Sequence, residues 1–321
     1  AQANLGEIYW LGKGIAQDLL KAEKWNRQAA ELGNAQAQYN LGVMYETGIG
    51  IAQDLKKAEK WYRKSAKQDY PPAQTHLGRM YHEGNGVTKN IHQAILWYRK
   101  AAQQGLAQAQ FNLGQLYRQG EGLTQDANQA AQWYRKAAEQ GLAIAQYNLA
   151  IMYYSGIGVE QDFTQAMQWY RKAAEQDYAE AQFNFGLMYE KGESVEPNVT
   201  EAMLWYRKAA LQGLAQAQFQ LALMYYDGNG VPQDLTEAAL WFREAAQQDY
   251  AKAQNNLGLL YYDGLGVSKD YIKAAQGYRK SAEQGNIDAQ FNLAIIYKKG
   301  RGVPKDLKKA AYWFHKAAEQ G

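Results

Sequence analysis

Residues 143–178 read AIAQYNLAIMYYSGIGVEQDFTQAMQWYRKAAEQDY, and the same 36-residue phrase recurs on either side of them with neither insertion nor deletion. Copies begin at Ala35, Pro71, Ala107, Ala143, Ala179, Ala215, Ala251 and Ile287, and a first copy, two residues short, occupies 1–34. A unit this short cannot bury its own apolar face, so such units are stable only when each stacks on its neighbours. The unbroken period and the lack of an internal linker predict one elongated domain over 1–321.

The phrase contains two helices. Numbered from 1 to 36, its positions 3, 7, 10, 11 and 14 are small or apolar at helical spacing, as in Ala145, Leu149, Met152, Tyr153 and Gly156. Gly at position 14 ends this first helix in a left-handed residue, and Gly at position 16 permits the tight turn that follows. Position 8 is Gly or Ala in every copy, as in Gly42, Gly114, Ala150 and Gly258. A glycine inside a helix is costly, so its recurrence predicts a large group packed there, for which the tryptophan of the second helix is the expected occupant. Asp at position 20, as in Asp54 or Asp234, caps the second helix, and Glu201 and Gln165 stand where a capping box wants them.

The second helix carries Ala at position 24, Trp at 27 and small residues at 31 and 32. Its tryptophans, Trp25, Trp61, Trp97, Trp133, Trp169, Trp205, Trp241 and Trp313, read as buried anchors. The basic pair at positions 29 and 30, such as Arg63 and Lys64, offsets the helix dipole in preference to forming a polyanion stripe. The fold class these signals predict is all-α: an α/α superhelical solenoid of nine 36-residue helix-turn-helix repeats.

Composition excludes several functions. Thirty-five basic and 32 acidic residues leave a net charge of +3, too balanced for a nucleic-acid or acidic-lipid partner held by bulk charge. There is no cysteine, so no disulfide, and no apolar run approaches the roughly 18 residues that a membrane span needs. A soluble protein is expected, favoured as a monomer. Ala1 opens within a repeat and Gly321 stops one residue short of closing the last, so both ends read as trimmed; a periplasmic or secreted location would follow if a signal peptide had preceded Ala1. Four histidines, His76, His82, His92 and His315, are too scattered for a metal site, and no nucleophile stands beside a base. No cofactor, metal or catalytic residue is therefore expected. A Glu46–His82–Arg118 column across three repeats reads as a polar surface network.

Two copies depart from the phrase. The sixth replaces a loop glycine with Ser194, adds Pro197 and has Asn198 for the capping Asp, which predicts a local bend. The eighth has Gly277 where the others have tryptophan; Tyr271 or Tyr278 is the favoured filler of that space, and a void that serves as pocket or joint is the alternative.

Together, Ala, Leu, Gly, Tyr, Gly-x-Gly, Asp, Ala, Trp and Ala-Ala at a strict 36-residue period resemble the Sel-one-like repeat family, a branch of the tetratricopeptide superfamily, across all nine copies. The resemblance implies a right-handed superhelix with first helices lining a concave side, and an adaptor role, as in bacterial envelope or host-interaction proteins. It leaves open an immunity protein that neutralises a secreted type VI toxin. A cell-wall or beta-lactam-acting enzyme is disfavoured: the chain lacks the paired cysteines of the related cysteine-rich proteins, and Ser-x-x-Lys, Ser-Asp-Asn and Lys-Thr-Gly are all missing.

Positions 5, 9 and 12 project away from the packed face of the first helix and should line the groove. Position 9 turns from Glu7, Val43, Arg79 and Gln115 to Ile151, Leu187, Leu223, Leu259 and Ile295, and position 12 from Glu46, His82 and Arg118 to Tyr154, Tyr226 and Tyr262, although Glu190 interrupts. Position 5 is largely aromatic, with Phe111, Tyr147, Phe183 and Phe219; packing between neighbouring first helices is the stronger of its two readings, whereas the position-12 tyrosines read as binding residues. Position 6 is an asparagine column that includes Asn148 and Asn184, either clamps for an extended peptide, as the resemblance implies, or inter-repeat hydrogen bonds. The expected partner is another protein or a peptide segment, held in the groove of repeats four to eight.

Overall fold

The computed structural model describes residues 1–12 and 14–320, and among them it holds helices, turns and loops but no strand. The helices fall into two compact units, 1–162 and 163–321. Unit 1 contains α1 (Gln2–Leu11), α2 (Leu19–Glu31), α3 (Ala35–Thr47), α4 (Leu55–Ala66), α5 (Pro71–Glu83), α6 (Ile91–Gln103), α7 (Ala107–Gln119), α8 (Ala127–Glu139) and α9 (Ala143–Ser155). Unit 2 contains α10 (Phe163–Ala174), α11 (Ala179–Lys191), α12 (Val199–Leu211), α13 (Ala215–Asp227), α14 (Leu235–Gln247), α15 (Ala251–Asp263), α16 (Tyr271–Glu283), α17 (Ile287–Lys299) and α18 (Leu307–Ala318). In each unit every helix packs on the next in sequence, the arrangement of an all-α solenoid.

Local chemistry sets the helix ends. First helices stop at a left-handed glycine, as at Gly120 (φ 70°) and Gly228 (φ 69°). Second helices start at a side-chain cap: Asp54 accepts from Lys57 N at 3.0 Å, and Asn198 does the same for Glu201 N at 3.0 Å. In the sixth repeat, where a bend is expected, the loop and the helix after it keep the local form of the other repeats. Ser194 takes the left-handed conformation (φ 72°) that glycine supplies elsewhere, and α12 has the same 13-residue length as most of its counterparts.

The group in the position-8 notch is not tryptophan but the residue after it, a ring at Gly42, Gly78, Gly114, Gly186 and Gly258 and the Asn26 amide at Gly6. A Cβ on Gly42 would lie 2.6 Å from the Tyr62 ring, and one on Gly78 would lie 2.7 Å from Tyr98. Tyr62, Tyr98, Tyr134, Tyr206, Phe242 and Tyr278 are the largest fully buried side chains. Among the tryptophans only Trp97 (8% exposed) and Trp169 (9%) are buried. The others are half-buried at the edge of the core, and three of these, Trp61, Trp133 and Trp205, carry a lysine over the indole, such as Lys64 at 4.2 Å from Trp61.

Neighbouring repeats are tied by two polar ladders. The arginine of the basic pair reaches the position-11 tyrosine of the following repeat: Arg27 donates to Tyr45 at 3.0 Å and Arg279 to Tyr297 at 2.9 Å. A buried glutamine at position 4 donates to a carbonyl closing the previous repeat and accepts from the glutamine at position 34 of its own. Gln182, for example, donates to Ala174 O at 3.1 Å and accepts from Gln212 at 2.7 Å. Where Asp177 replaces the usual glycine between repeats, in left-handed geometry (φ 60°), its carboxylate also accepts from Gln182.

Candidate partner-binding face

On the first helices of unit 2, positions 5, 9 and 12 present mostly half-buried apolar side chains, interrupted by Glu190 on α11, buried Asn255 on α15 and exposed Lys298 on α17. Phe219, Leu223 and Tyr226 of α13 pack together on the cluster around Ala222, Ala238 and Phe242. Phe183 of α11 and Tyr262 of α15 belong to the neighbouring clusters, and Leu187 and Leu259 are half-buried on the same two helices. The structure thus brings three of the expected residues onto one cluster, with Phe183, Asn184 and Leu187 on the first helix before it and Leu259 and Tyr262 on the one after. Further along unit 2, Asn255, Ile287, Phe291, Asn292 and Phe314 line a cleft of about 690 Å³ in which Phe291 remains 50% exposed. Phe291 was legible as the last ring of the position-5 column, but Phe314, from a second helix, was not.

Position 5 is tied into the core. Phe183 lies 5.4 Å from Tyr206, and Phe219 lies 5.7 Å from Phe242 and 5.2 Å from Tyr250. Phe183 and Phe219 thus pack on the second helix of their own repeat, while elsewhere position 5 also meets the neighbouring first helix, as Tyr39 does His76 at 3.1 Å and Asn255 does Asn292 at 3.1 Å. Tyr262 is also held: Arg301 donates to its hydroxyl, and the Tyr271 ring meets it edge-on at 5.2 Å. Tyr226 and Leu223 stay on the half-exposed flank.

The position-6 amides mostly serve the fold. Asn292 donates to Asn255 at 3.1 Å across a repeat junction, and Asn40 donates to Asn26 at 3.1 Å. In unit 1, Asn148 turns back on its own helix, to Ile144 O at 2.7 Å. There Phe111 is buried and stacked on Tyr134 at 5.5 Å, while Tyr147, Ile151 and Tyr154 of α9 are half-buried. Asn184 is half-buried on α11.

The early repeats of unit 1 are polar instead. Glu46 accepts from the Tyr62 hydroxyl at 2.6 Å and from Arg79, with His76 Nδ1 at 3.2 Å. Burial pushes this carboxyl up, but the hydrogen bonds from His76 and Tyr62 and the charge of Arg79 outweigh it and hold it at about 2. Burial, with the bond to Glu46, pushes the Tyr62 hydroxyl well above the ordinary tyrosine range. The Glu46–His82–Arg118 column does not form, because Glu46 and His82 each take other partners. His82 Nε2 lies 3.0 Å from Glu121, whose other oxygen is 3.2 Å from Lys89. Beside this network, His76, Arg79, His82, Glu83 and Tyr98 contribute to a polar cleft of about 360 Å³. No group of three or more His, Asp or Glu among the described residues is placed to hold a metal ion, and no described helix is long and apolar enough to cross a membrane.

Successive helix pairs written on one 36-residue phrase, stacked through buried rings and glutamine ladders, define a helical-repeat protein of the all-α solenoid class. The chain belongs to the Sel1 repeat family, whose model matches it nine times, at residues 1–34, 35–70, 71–106, 107–142, 143–178, 179–214, 215–250, 251–286 and 287–321. It is similar to c5321, a protective antigen present in uropathogenic Escherichia coli strains and displaying an SLR fold. The two are 42% identical over 99% of this chain and 68% of that one, with a TM-score of 0.87. It is also similar to a Sel1 repeat protein from Oxalobacter formigenes, 37% identical over 90% of this chain and 84% of that one, with a TM-score of 0.70. A search of the curated proteins found no match. The Sel1 repeat is a scaffold typical of protein–protein interaction, and these similar structures come from bacteria.

Proposed function

We propose that this chain is a non-catalytic interaction scaffold that holds a partner protein or extended peptide against the first helices of unit 2. The observation that carries this reading is the change of character along the first-helix face. Charged groups of the early repeats satisfy one another, as Glu46 and Arg79 do, whereas Leu187, Leu223, Tyr226 and Leu259 remain half-exposed and the cleft at Phe291 is open. Apolar and aromatic surface of this kind, rimmed by polar groups, is what partner sites are made of. The Phe111, Tyr147, Asn148, Ile151 and Tyr154 set extends the same columns within unit 1. Similarity to a protective antigen of uropathogenic bacteria supports a role in host interaction.

The test is affinity capture from host and bacterial extracts with the intact protein and with a Leu223→Ser, Tyr226→Ala double variant. A Leu204→Ser variant, altering an exposed leucine of a second helix, serves as control. Binding of a specific partner should fall at least tenfold in the double variant and be unchanged in the control, with helicity equal in all three. Capture unaffected by the double variant would move the site elsewhere.

A further inference from the structure

In five repeats a lysine three residues after the tryptophan lies over the indole ring: Lys64 on Trp61 at 4.2 Å, Lys100 on Trp97 at 5.0 Å, Lys136 on Trp133 at 4.2 Å, Lys172 on Trp169 at 4.0 Å and Lys208 on Trp205 at 3.8 Å. Beneath the indole is a floor of small and apolar residues; Trp133 packs on the cluster of Ala101, Ala102, Ala109 and Leu113. The eighth repeat keeps the lysine and the floor but has no ring between them. Ala246 and Leu257, the counterparts of Ala102 and Leu113, line an open cleft of about 300 Å³ together with Gly277 and Lys280.

Neither expected filler occupies it. Tyr278 sits in the position-8 notch, where a Cβ on Gly258 would lie 2.9 Å from its ring, and Tyr271 meets Tyr262 edge-on at 5.2 Å. The helices also prevent the chain from supplying a ring at this position. A Cβ on Gly277 would stand 2.8 Å from the backbone oxygen of Gln254, so any side chain there forces α16 away from α15. With Gly277 fixed and both tyrosines engaged elsewhere, a ring over this floor has to come from outside the chain. Its rim is cationic: Arg243, Lys273 and Lys280 line it with no carboxylate. Arg243 donates to the Tyr261 hydroxyl at 3.5 Å, and Lys273 lies 5.2 Å from the Tyr261 ring on one wall and 3.6 Å from Asp270 outside the lining.

We propose that the cleft at Gly277 binds a tryptophan or phenylalanine side chain of a partner protein, flanked in that partner by acidic residues. Lys280 covers the incoming ring as its counterparts cover Trp61 and Trp205, and Arg243 and Lys273 meet the neighbouring carboxylates. The site is built by α14, α15 and α16 and shares no residue with the Leu223–Tyr226 flank, so it stands or fails independently of the reading above.

A blocked tripeptide, aspartate–fluorotryptophan–glutamate, titrated into the full chain and followed by fluorine NMR, tests this without interference from the native tryptophans. Saturable binding is expected, competed by the unlabelled tripeptide but not by its alanine analogue. Lys280→Gln should weaken it by roughly fivefold, the order of one cation–π contact. Ala246→Phe, which fills the cleft, should abolish it, and the Leu223→Ser, Tyr226→Ala variant should bind as the parent does. No saturation, or binding indifferent to Lys280→Gln, would overturn the proposal. So would loss of binding in the Leu223→Ser, Tyr226→Ala variant, which would place the peptide on the first-helix face. Equal affinity for free fluoroindole acetate would also overturn it, by making the site one for small aromatic acids.

Discussion

At the scale of single residues, two departures from the repeat show how much strain or charge one position carries. Ser194 holds a left-handed backbone that costs a side-chain-bearing residue about 1–2 kcal/mol. Its hydroxyl lies 2.9 Å from that of Thr164, an exposed contact that offsets little of this. Ser194→Gly is expected to stabilise unit 2 by about 1 kcal/mol in urea denaturation. Glu46 carries the clearest pH dependence. Its ordinary value is 4.5 and the folded protein holds it at about 2, so between these values the unfolded chain binds more protons than the folded one. Stability from this group is complete above about pH 4.5 and is lost as pH falls towards 2. Urea melts between pH 5 and pH 3 should show a shallower acid loss for Glu46→Gln than for the parent chain. The lysine–tryptophan and arginine–tyrosine contacts account for the basic pair without a polyanion.

At the scale of helices, stacking depends on notches and ladders more than on propensity. Gly42→Ala drives a methyl carbon to within 2.6 Å of the Tyr62 ring, whose hydroxyl is fixed on Glu46, and should cost about 1–3 kcal/mol by overpacking. Gln182→Leu leaves the Ala174 carbonyl and the Gln212 amide without their partner at a buried repeat junction, and should cost about 1–3 kcal/mol in the same denaturation assay. The position-4 glutamine stood in plain view in the sequence. Its role was not legible there because its partners lie 8 and 30 residues away, at the C-terminal ends of two second helices, where no helical periodicity connects them. The caps were legible because Asp54 and Gly120 act on amides and carbonyls within a few residues of themselves.

At the scale of the whole molecule, each repeat contacts chiefly its sequence neighbours, so distant changes should act separately. Gly42→Ala and Gln182→Leu lie in different units, and their combined cost should equal the sum of the single costs to within about 0.5 kcal/mol; a larger discrepancy would show coupling that neighbour-only stacking does not provide. Of the candidate site, the columns and their change of character were readable, but not which members are committed to packing. Phe183 and Phe219 rest on second-helix rings, while Leu223 and Tyr226 stay on the half-exposed flank. By itself the sequence determined the period, the helix ends and the need for a large group opposite each position-8 residue, because these follow from spacing and local backbone chemistry. Only the tertiary structure decided which ring meets that need. Adjacent residues on a helix point about 100° apart, so tryptophan at position 27 and tyrosine at position 28 differ by a rotation that only helix-on-helix packing resolves. The same packing leaves the cleft at Gly277 open: it places Tyr278 in the notch and brings α16 too near α15 for a side chain at position 277 to fill the space.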